Sequence, residues 1–250
     1  MLDARKNGFL NTLLYQTLIL SAVRQNFHSV FYRQDSAAPD HNKQPVILFC
    51  NHSSWWDAHM AMILNEELWH RDGYVMVEDT QLSRYQFFRY MGAFSVSRTN
   101  ARSAIASLKY ASNLLKCKTN SLMLIFPQGE LQANDLRPLN LFKGAGAIAC
   151  ECAPCLAYPL ALRYEFVGEQ KPHAFISVGL PISVSSTKTT TKEVTQLMTQ
   201  RLTEQVDQLR DDVIARQFTG FKTLVHGQWS INRIWDTVRR RKQIRFLGPG

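Results

Sequence analysis

The sequence predicts an α/β fold in which a single mixed, partly parallel sheet is flanked by helices, with amphipathic helices at both ends of the chain. Short apolar runs bounded by turn-forming residues alternate with longer segments of helical periodicity. Strands that alternate with helices are typical of sheets with parallel strands. The 250 residues, 45% hydrophobic and 20% charged, suit one large domain with a sizeable core.

The predicted elements follow one another from residue 46 onwards. Apolar runs predict strands over 46–50, 74–78, 92–98, 121–126, 155–164 and 174–178. Helical spacing predicts helices over 57–70, 81–91, 100–116 and 142–151, and a long amphipathic helix from Val194. Three parts result: an N-terminal helical segment at the membrane interface (1–34), a core (45–185), and C-terminal amphipathic helices with a basic tail (190–250).

The two ends of the chain combine apolar and basic residues. The apolar stretch 8–23 is interrupted by Asn11 and Gln16, lacks a signal-peptide cleavage pattern and is not a membrane-spanning segment. In the tail, Trp229 and Trp235 precede the basic run 239–242. This composition fits an interfacial membrane helix, and equally a helix packed on the domain with a solvated basic end. We therefore expect a peripheral, monotopic protein at the cytoplasmic face of a membrane.

Net charge and cysteine usage limit the partners further. The formal net charge of +9 suits anionic partners such as lipid or an acidic carrier protein, and no nucleic-acid-binding motif is present. Five cysteines without a secretory signal indicate a reducing compartment. The clustered Cys150, Cys152 and Cys155 have no second pair of ligands elsewhere, so we expect buried thiols and no metal site.

A polar stretch at the end of the first core strand carries the candidate chemistry. The apolar run Val46–Cys50 leads directly into Asn51 and His52, and Asp57 opens the next helix. Loops at strand ends are the usual place for chemistry in α/β sheets. A histidine and a carboxylate five residues apart across such a turn can fold back on each other. The carboxylate would then fix the imidazole tautomer, as general-base catalysis requires.

Three further blocks follow in chain order, each at a strand end or helix start. They are Gly92…Phe94…Arg98, Phe126-Pro127-Gln128-Gly129-Glu130 and Tyr158-Pro159-Leu160. With the first block, Asn51-His52…Asp57, they resemble the motifs of the glycerolipid acyltransferase family, the 1-acylglycerol-3-phosphate acyltransferase (PlsC-like) group: N-H-x(4)-D, G-x-(I/F)-x-x-x-R, F-P-E-G-T-R and a proline-centred strand. The resemblance covers about residues 45–185.

The resemblance implies a glycerol-3-phosphate/lysophospholipid acyltransferase-like fold and transfer of a fatty acyl group to a hydroxyl. The donor would be an acyl carrier protein or CoA thioester, used as co-substrate without another cofactor, and the acceptor a lysophospholipid such as 1-acylglycerol-3-phosphate. His52 would be the general base and Asp57 would stabilise its imidazolium. The residues predicted to bind substrate are Arg98, Gln128, Gly129, Glu130 and Lys143. Backbone amides near Gly129 are candidates for stabilising the oxyanion.

The third block departs from the family pattern. Where the family has Glu-Gly-Thr-Arg, this chain has Gln128-Gly129-Glu130-Leu131, so the arginine is missing and a carboxylate has moved. A phosphate acceptor would lose affinity there, which leaves a glycolipid or another lipid alcohol as an alternative acceptor. Two more alternatives stay open: a non-catalytic lipid-binding protein that kept the fold, and a thioester hydrolase.

Overall fold

The computed structural model describes residues 1–40, 43–97, 100–185 and 189–228. Its helices are α1 (Gly8–Leu14), α2 (Ser21–Asn26), α3 (Asp57–Leu64), α4 (Asp79–Arg84), α5 (Ala101–Cys117), α6 (Gly144–Glu151) and α7 (Thr191–Ile214). Its strands are β1 (Ser29–Gln34), β2 (Val46–Cys50), β3 (Asp72–Glu78), β4 (Ala93–Val96), β5 (Ser121–Ile125), β6 (Cys155–Glu165), β7 (His173–Val178), β8 (Ile182–Val184) and β9 (Lys222–His226). Two π-helical segments, Tyr15–Leu20 and Asn65–Trp69, follow α1 and α3, and a 3-10 helix spans Gln86–Met91.

The strands of the described residues form one mixed sheet in the order β4-β3-β5-β2-β6-β7-β1-β9, with β8 beside β6. Strand β3 pairs in parallel with β4 and β5, β2 with β5 and β6, and β1 with β7. The pairs β6/β7, β6/β8 and β1/β9 are antiparallel. The predicted α/β class with a partly parallel sheet is therefore confirmed.

Strand β2 lies at the centre of the sheet and is buried on both faces. Val46, Leu48 and Cys50 pack into the apolar cluster that the N-terminal helices and α3 cover. Ile47 and Phe49 point to the opposite face and pack under α5, α6 and α7. Alternate residues of a strand point to opposite faces, so a strand covered on both sides reads as an unbroken apolar run. This burial holds the end of β2, and with it the polar turn that follows, in a fixed position.

Two residues of the Gly92…Phe94…Arg98 block are explained by packing. Gly92 has φ +98°, and a Cβ atom there would collide with the carbonyl oxygen of Gly73. Glycine is thus required for this close approach of two backbones. Phe94 is fully buried and its ring lies 5.1 Å from that of Tyr110 on α5. Arg98 lies outside the described residues.

The prediction of an N-terminal helical segment over 1–34 is wrong at its end, because Ser29–Gln34 forms β1. Val30 pairs in parallel with Ala174 of β7 and in antiparallel fashion with Val225 of β9. β-branched and aromatic residues such as Val30 and Phe31 suit a pleated surface, and these long-range partners decide the outcome. Residues 29–34 therefore belong to the sheet and not to a separate N-terminal part.

The C-terminal prediction is correct for the amphipathic helix and wrong for the segment after it. Helix α7 buries Val194, Met198 and Leu202 against the sheet, as the spacing predicts. Lys222–His226, however, forms the edge strand β9. The basic tail, residues 229–250, lies outside the described residues. In the part of the chain that is described, no helix is long and apolar enough to cross a bilayer.

Candidate active site

The candidate site lies at one edge of the sheet, where parallel strands end next to one another. β2 ends at Cys50 and its parallel neighbour β5 ends at Ile125, so the loops that follow them meet. On the other side of β2, the parallel strand β6 pairs Leu160 with Cys50 and continues beyond it to Glu165. The carboxyl ends of parallel strands commonly hold the functional groups of open α/β sheets.

His52 and Asp57 come together across the turn between β2 and α3. The Nδ1 atom of His52 lies 2.9 Å from Oδ2 of Asp57. The same carboxylate oxygen accepts hydrogen bonds from the backbone amides of Ser53 (2.7 Å) and Ser54 (2.8 Å). Asp57 is fully buried, whereas the side chain of His52 is 24% exposed. Buried carboxylates need such donors, and here they also fix the oxygen that faces the imidazole.

The imidazole of His52 is oriented on its other side too. Its ring stacks on Phe126, with 4.3 Å between the ring centroids. A carboxylate can only accept, so Nδ1 carries a proton, and in the neutral imidazole Nε2 then keeps its lone pair. Within the described residues, Nε2 has no hydrogen-bond partner. A partly exposed Nε2 on a fixed neutral imidazole is the geometry that a general base needs.

The side chain of Gln128 is hydrogen-bonded to the backbone of the His52 turn. It is buried, and its Oε1 accepts a hydrogen bond of 2.7 Å from the backbone amide of His52. Its Nε2 donates to Oε1 of Gln132 at 2.7 Å, and the Gln132 amide donates to the His52 carbonyl at 2.8 Å. The two glutamines thereby join the loop after β5 to the loop after β2. In this conformation both polar atoms of the Gln128 side chain are hydrogen-bonded within the protein.

A second amide network fixes Asn51, the residue before His52. Its Oδ1 accepts from the backbone amide of Leu162 on β6 at 2.8 Å, and its Nδ2 donates to the Leu162 carbonyl at 3.0 Å. Nδ2 also lies 2.8 Å from Oδ1 of Asn134. Asn51 therefore ties the turn to β6 and to the loop after β5.

Gly129 and Lys143 belong to the outer part of the site. Gly129 has φ +75°, and a Cβ atom there would approach the Phe142 ring to 2.7 Å, so a larger residue would displace this aromatic cover. The backbone amide of Gly129 donates to the Phe126 carbonyl at 3.0 Å, so this amide is not available for an oxyanion.

Lys143 is exposed at the start of α6. It directly follows Phe142, whose backbone amide donates to the Pro127 carbonyl at 2.8 Å. Glu130 is exposed as well.

Three other side chains that could serve as nucleophile or base lie beside the site: Cys50, Ser54 and His59. Burial, together with the charge of Asp57, raises the pKa of the Cys50 thiol well above its usual value, so it stays protonated. The hydroxyl of Ser54 accepts from the Trp56 amide at 3.2 Å. Burial lowers the pKa of His59 to about 4, and its ring packs 4.4 Å from that of Trp55. Among the described residues no group of three or more His, Cys, Asp or Glu side chains is arranged to hold a metal ion.

Comparison with known proteins gives the family. A family model described as Acyltransferase matches residues 26–163, more than half of the chain. The chain belongs to this acyltransferase family. The matched region contains β1 to β5 and β6 up to Arg163, with the His52 turn and the loop after β5 that meets it. The protein is thus an acyltransferase, as the motifs predict.

The acyltransferase also has a solved structural relative. Its fold is similar to the crystal structure of the 1-acyl-sn-glycerophosphate (LPA) acyltransferase, PlsC, from Thermotoga maritima, with a TM-score of 0.50. The two are 15% identical in sequence, and the match covers 81% of this chain and 77% of that one. The likeness confirms the predicted PlsC-like fold. No curated protein sequence matches the chain.

One residue of the acyltransferase site was not expected from the sequence. The hydroxyl of Tyr164 donates to Oδ1 of Asp57 at 2.7 Å, across 107 positions of chain. The length of the strand that carries Pro159 could have indicated this contact. β6 extends beyond the end of its neighbour β2, so Leu162 and Tyr164 lie beside the turn that follows β2. The even-numbered residues of β6 face the cluster under α3, and Tyr164 is the one whose polar tip reaches Asp57.

Proposed function

We propose that this acyltransferase transfers a fatty acyl group from an acyl carrier protein or CoA thioester to a hydroxyl of a lysophospholipid such as 1-acylglycerol-3-phosphate. His52 would act as the general base. The observation that carries the proposal is the His52–Asp57 pair. Nδ1 is tied to a fully buried carboxylate at 2.9 Å while Nε2 stays open, within the matched family region.

The reaction would proceed without an acyl-enzyme. Nε2 of His52 removes the proton of the acceptor hydroxyl as its oxygen attacks the thioester carbonyl carbon, and Asp57 stabilises the imidazolium that forms. The tetrahedral intermediate collapses by breaking its C–S bond. The thiolate leaves with the electron pair and takes the proton back from Nε2. The products are an ester and a thiol, and the base returns neutral for the next turnover.

The substrate-binding roles of Arg98, Gly129, Glu130 and Lys143 are part of the proposal. Arg98 suits the phosphate of the acceptor, because a guanidinium binds phosphate oxygens in bidentate fashion. The exposed Lys143 adds a positive charge next to the loop after β5. For Gln128 we propose a supporting role, since its amide already pairs with the His52 backbone and Gln132. The net charge of +9 fits an acidic carrier protein or the phosphates of CoA.

A panel assay with purified protein tests the proposed reaction. Acyl carrier protein and CoA thioesters are each combined with lysophosphatidic acid, other lysophospholipids, a glycolipid and a neutral monoacylglycerol, and products are identified by mass spectrometry. We expect an acylated lipid with at least one acceptor. Free fatty acid that forms at the same rate whether or not a lysolipid is added would identify a hydrolase instead.

A lipid alcohol without a phosphate, such as a glycolipid, is the second candidate acceptor, and the loop after β5 favours it. Its described polar contacts with the His52 turn are made by neutral amides, those of Gln128, Gln132 and Asn134. The nearby cations Arg137 and Arg163 are held by carboxylates, Arg137 by Asp207 (2.6 Å) and Arg163 by Asp135 (2.8 Å). Apart from the exposed Lys143 at its end, this loop therefore offers little positive charge to a phosphate.

The variant Leu131→Arg tests the choice of acceptor. Leu131 is 57% exposed and stands near the position of the family's arginine. A charge-assisted hydrogen bond contributes about 1.5 kcal/mol or more, so kcat/KM for lysophosphatidic acid over a neutral acceptor is expected to rise about tenfold. Leu136→Arg, at a residue 51% exposed in the same loop, is the matched control. An unchanged preference in Leu131→Arg would count against a neutral acceptor.

We also propose that the N-terminal helices hold the protein on the cytoplasmic face of a membrane. Phe9 is 77% exposed, and Leu13 and Leu18 are exposed with it. Five free cysteines suit a reducing compartment on that side. Exposed apolar side chains on a helix enter the headgroup region of a bilayer.

Replacing the exposed phenylalanine tests this membrane contact. Phe9→Glu is expected to lower the affinity for phosphatidylglycerol–phosphatidylethanolamine vesicles about tenfold, as measured by co-sedimentation. The reason is that an aromatic side chain contributes about 1.5–3 kcal/mol on burial. Phe166→Glu alters a residue that is 66% exposed in the loop after β6, and is expected to bind like wild type. Equal binding by Phe9→Glu and wild type would exclude this contact.

A further inference from the structure

The carboxylate of Asp57 divides its partners between its two oxygens. Oδ2 accepts from the imidazole of His52 and from the amides of Ser53 and Ser54. Oδ1 accepts from the hydroxyl of Tyr164 at 2.7 Å. Three of the four donors come from the turn itself, within five residues of Asp57. Tyr164 is the one that a distant strand supplies.

Tyr164 is held as a donor by its surroundings. The centroid of its ring lies 5.8 Å from that of Phe27, whose centroid lies 5.1 Å from that of Trp56, so the tyrosine ring packs among other aromatic side chains. Burial, and then the charge of Asp57, raise the pKa of Tyr164 well above its usual value. The phenol therefore stays protonated across the working range of the enzyme, and a carboxylate partner leaves it no role but to donate.

We infer that Tyr164 is a positioning residue that sets how strongly the His52–Asp57 pair holds the catalytic proton. The inference rests on the proposed function, in which His52 takes a proton and gives it back. The hydroxyl fixes the carboxylate plane, so that Oδ2 faces Nδ1. It also draws charge from the carboxylate. The imidazolium is then stabilised enough to form, yet weakly enough to return its proton to the leaving thiolate.

The variant Tyr164→Phe removes only the hydroxyl oxygen and leaves Oδ1 without its donor. A hydrogen bond to a carboxylate favours the charged form, so its loss makes the carboxylate hold a shared proton more tightly. The acidic limb of the kcat/KM profile is therefore expected to move to higher pH. Among the described residues, Cys50 at the end of β2 is a further titratable group close to this pair, and it stays a neutral thiol.

The kinetic effect should fall on kcat. Tyr164 touches neither the acceptor nor the thioester in this account, so KM is expected to stay within about twofold while kcat falls about tenfold. Tyr158→Phe is the matched control: Tyr158 lies on β6 and on the same face of this strand as Tyr164, is buried, and its ring centroid lies 5.2 Å from that of Trp69. We expect Tyr158→Phe to leave both kcat and the acidic limb unchanged.

The decisive measurement is an NMR titration of isotope-labelled His52 in wild type and Tyr164→Phe. It needs no substrate, so it tests Tyr164 even if the panel assay finds no acyl transfer. The titration midpoint of His52 is expected to be higher in the variant. Should Tyr164→Phe fail to fold, 3-fluorotyrosine placed at position 164 keeps the ring and is a stronger donor, and the midpoint is expected to fall. Midpoints equal to wild type, or the same change in Tyr158→Phe, would overturn the inference.

Discussion

His52→Gln is expected to lower kcat about 1000-fold or more, because general-base catalysis and the charge that supports it account for a factor of this size. Glutamine is polar and can still donate to Asp57, but its side chain cannot take a proton from the acceptor. KM is expected to change little, since Nε2 acts on the hydroxyl only as the proton moves. Steady-state kinetics with the best donor and acceptor from the panel measures both quantities.

The control for this variant is His226→Gln, at an exposed residue on the edge strand β9. It is expected to behave like wild type in the same assay. Since His52 is only partly buried, His52→Gln should also melt close to the wild-type temperature. More than a tenth of wild-type kcat in a folded His52→Gln would show that His52 is not the base.

Asp57→Asn has the second largest expected effect, a loss of about 1000-fold in kcat. This is less than the loss of about 10⁴-fold that the same change causes in a serine protease, where the histidine is also left in the wrong tautomer. The asparagine must keep its oxygen toward the amides of Ser53 and Ser54, so His52 retains its tautomer. The negative charge that stabilises the imidazolium is gone, and an NH₂ group now faces the Tyr164 hydroxyl. The barrier to proton removal therefore rises, while acceptor binding is expected to persist.

The double variant sharpens this test. If His52 and Asp57 act as one unit, His52→Gln combined with Asp57→Asn should lose no more activity than His52→Gln alone. Asp72→Asn serves as control. Asp72 lies on β3, outside the site, and its carboxylate forms ion pairs with Lys6 and Lys118. Multiplicative losses in the double variant would mean that the two residues act independently.

The sequence predicts the central strands well and misses β1 and β9. Val46–Cys50 and Ser121–Ile125 are buried on both faces, and such runs are recognisable without knowledge of their partners. β9 is the last strand at one end of the sheet, and β1 lies between it and β7. β9 pairs with β1 across about 190 residues, and β1 pairs with β7 as well, and no local pattern records these distant partners.

The site divides in a similar way. The spacing of His52 and Asp57 predicts their approach, because five residues across one turn suffice to bring them together. Tyr164 could not be predicted by spacing, since its contact depends on the register of β6 against β2. Gln128 is placed among the substrate-binding residues by its motif position. Its burial and its bond to the His52 amide become visible only when the two loops are seen to pair.

The most direct test of His52 as the general base of acyl transfer compares two products of the same reaction in wild type and His52→Gln. Purified protein is given a labelled acyl thioester and the best acceptor, and free thiol and acylated lipid are measured together. We expect wild type to form them in equal amounts, and His52→Gln to form neither above about one thousandth of that rate. Thiol release without acylated lipid would contradict acyl transfer. Acylated lipid formed by His52→Gln at the wild-type rate would contradict the role of His52 as general base.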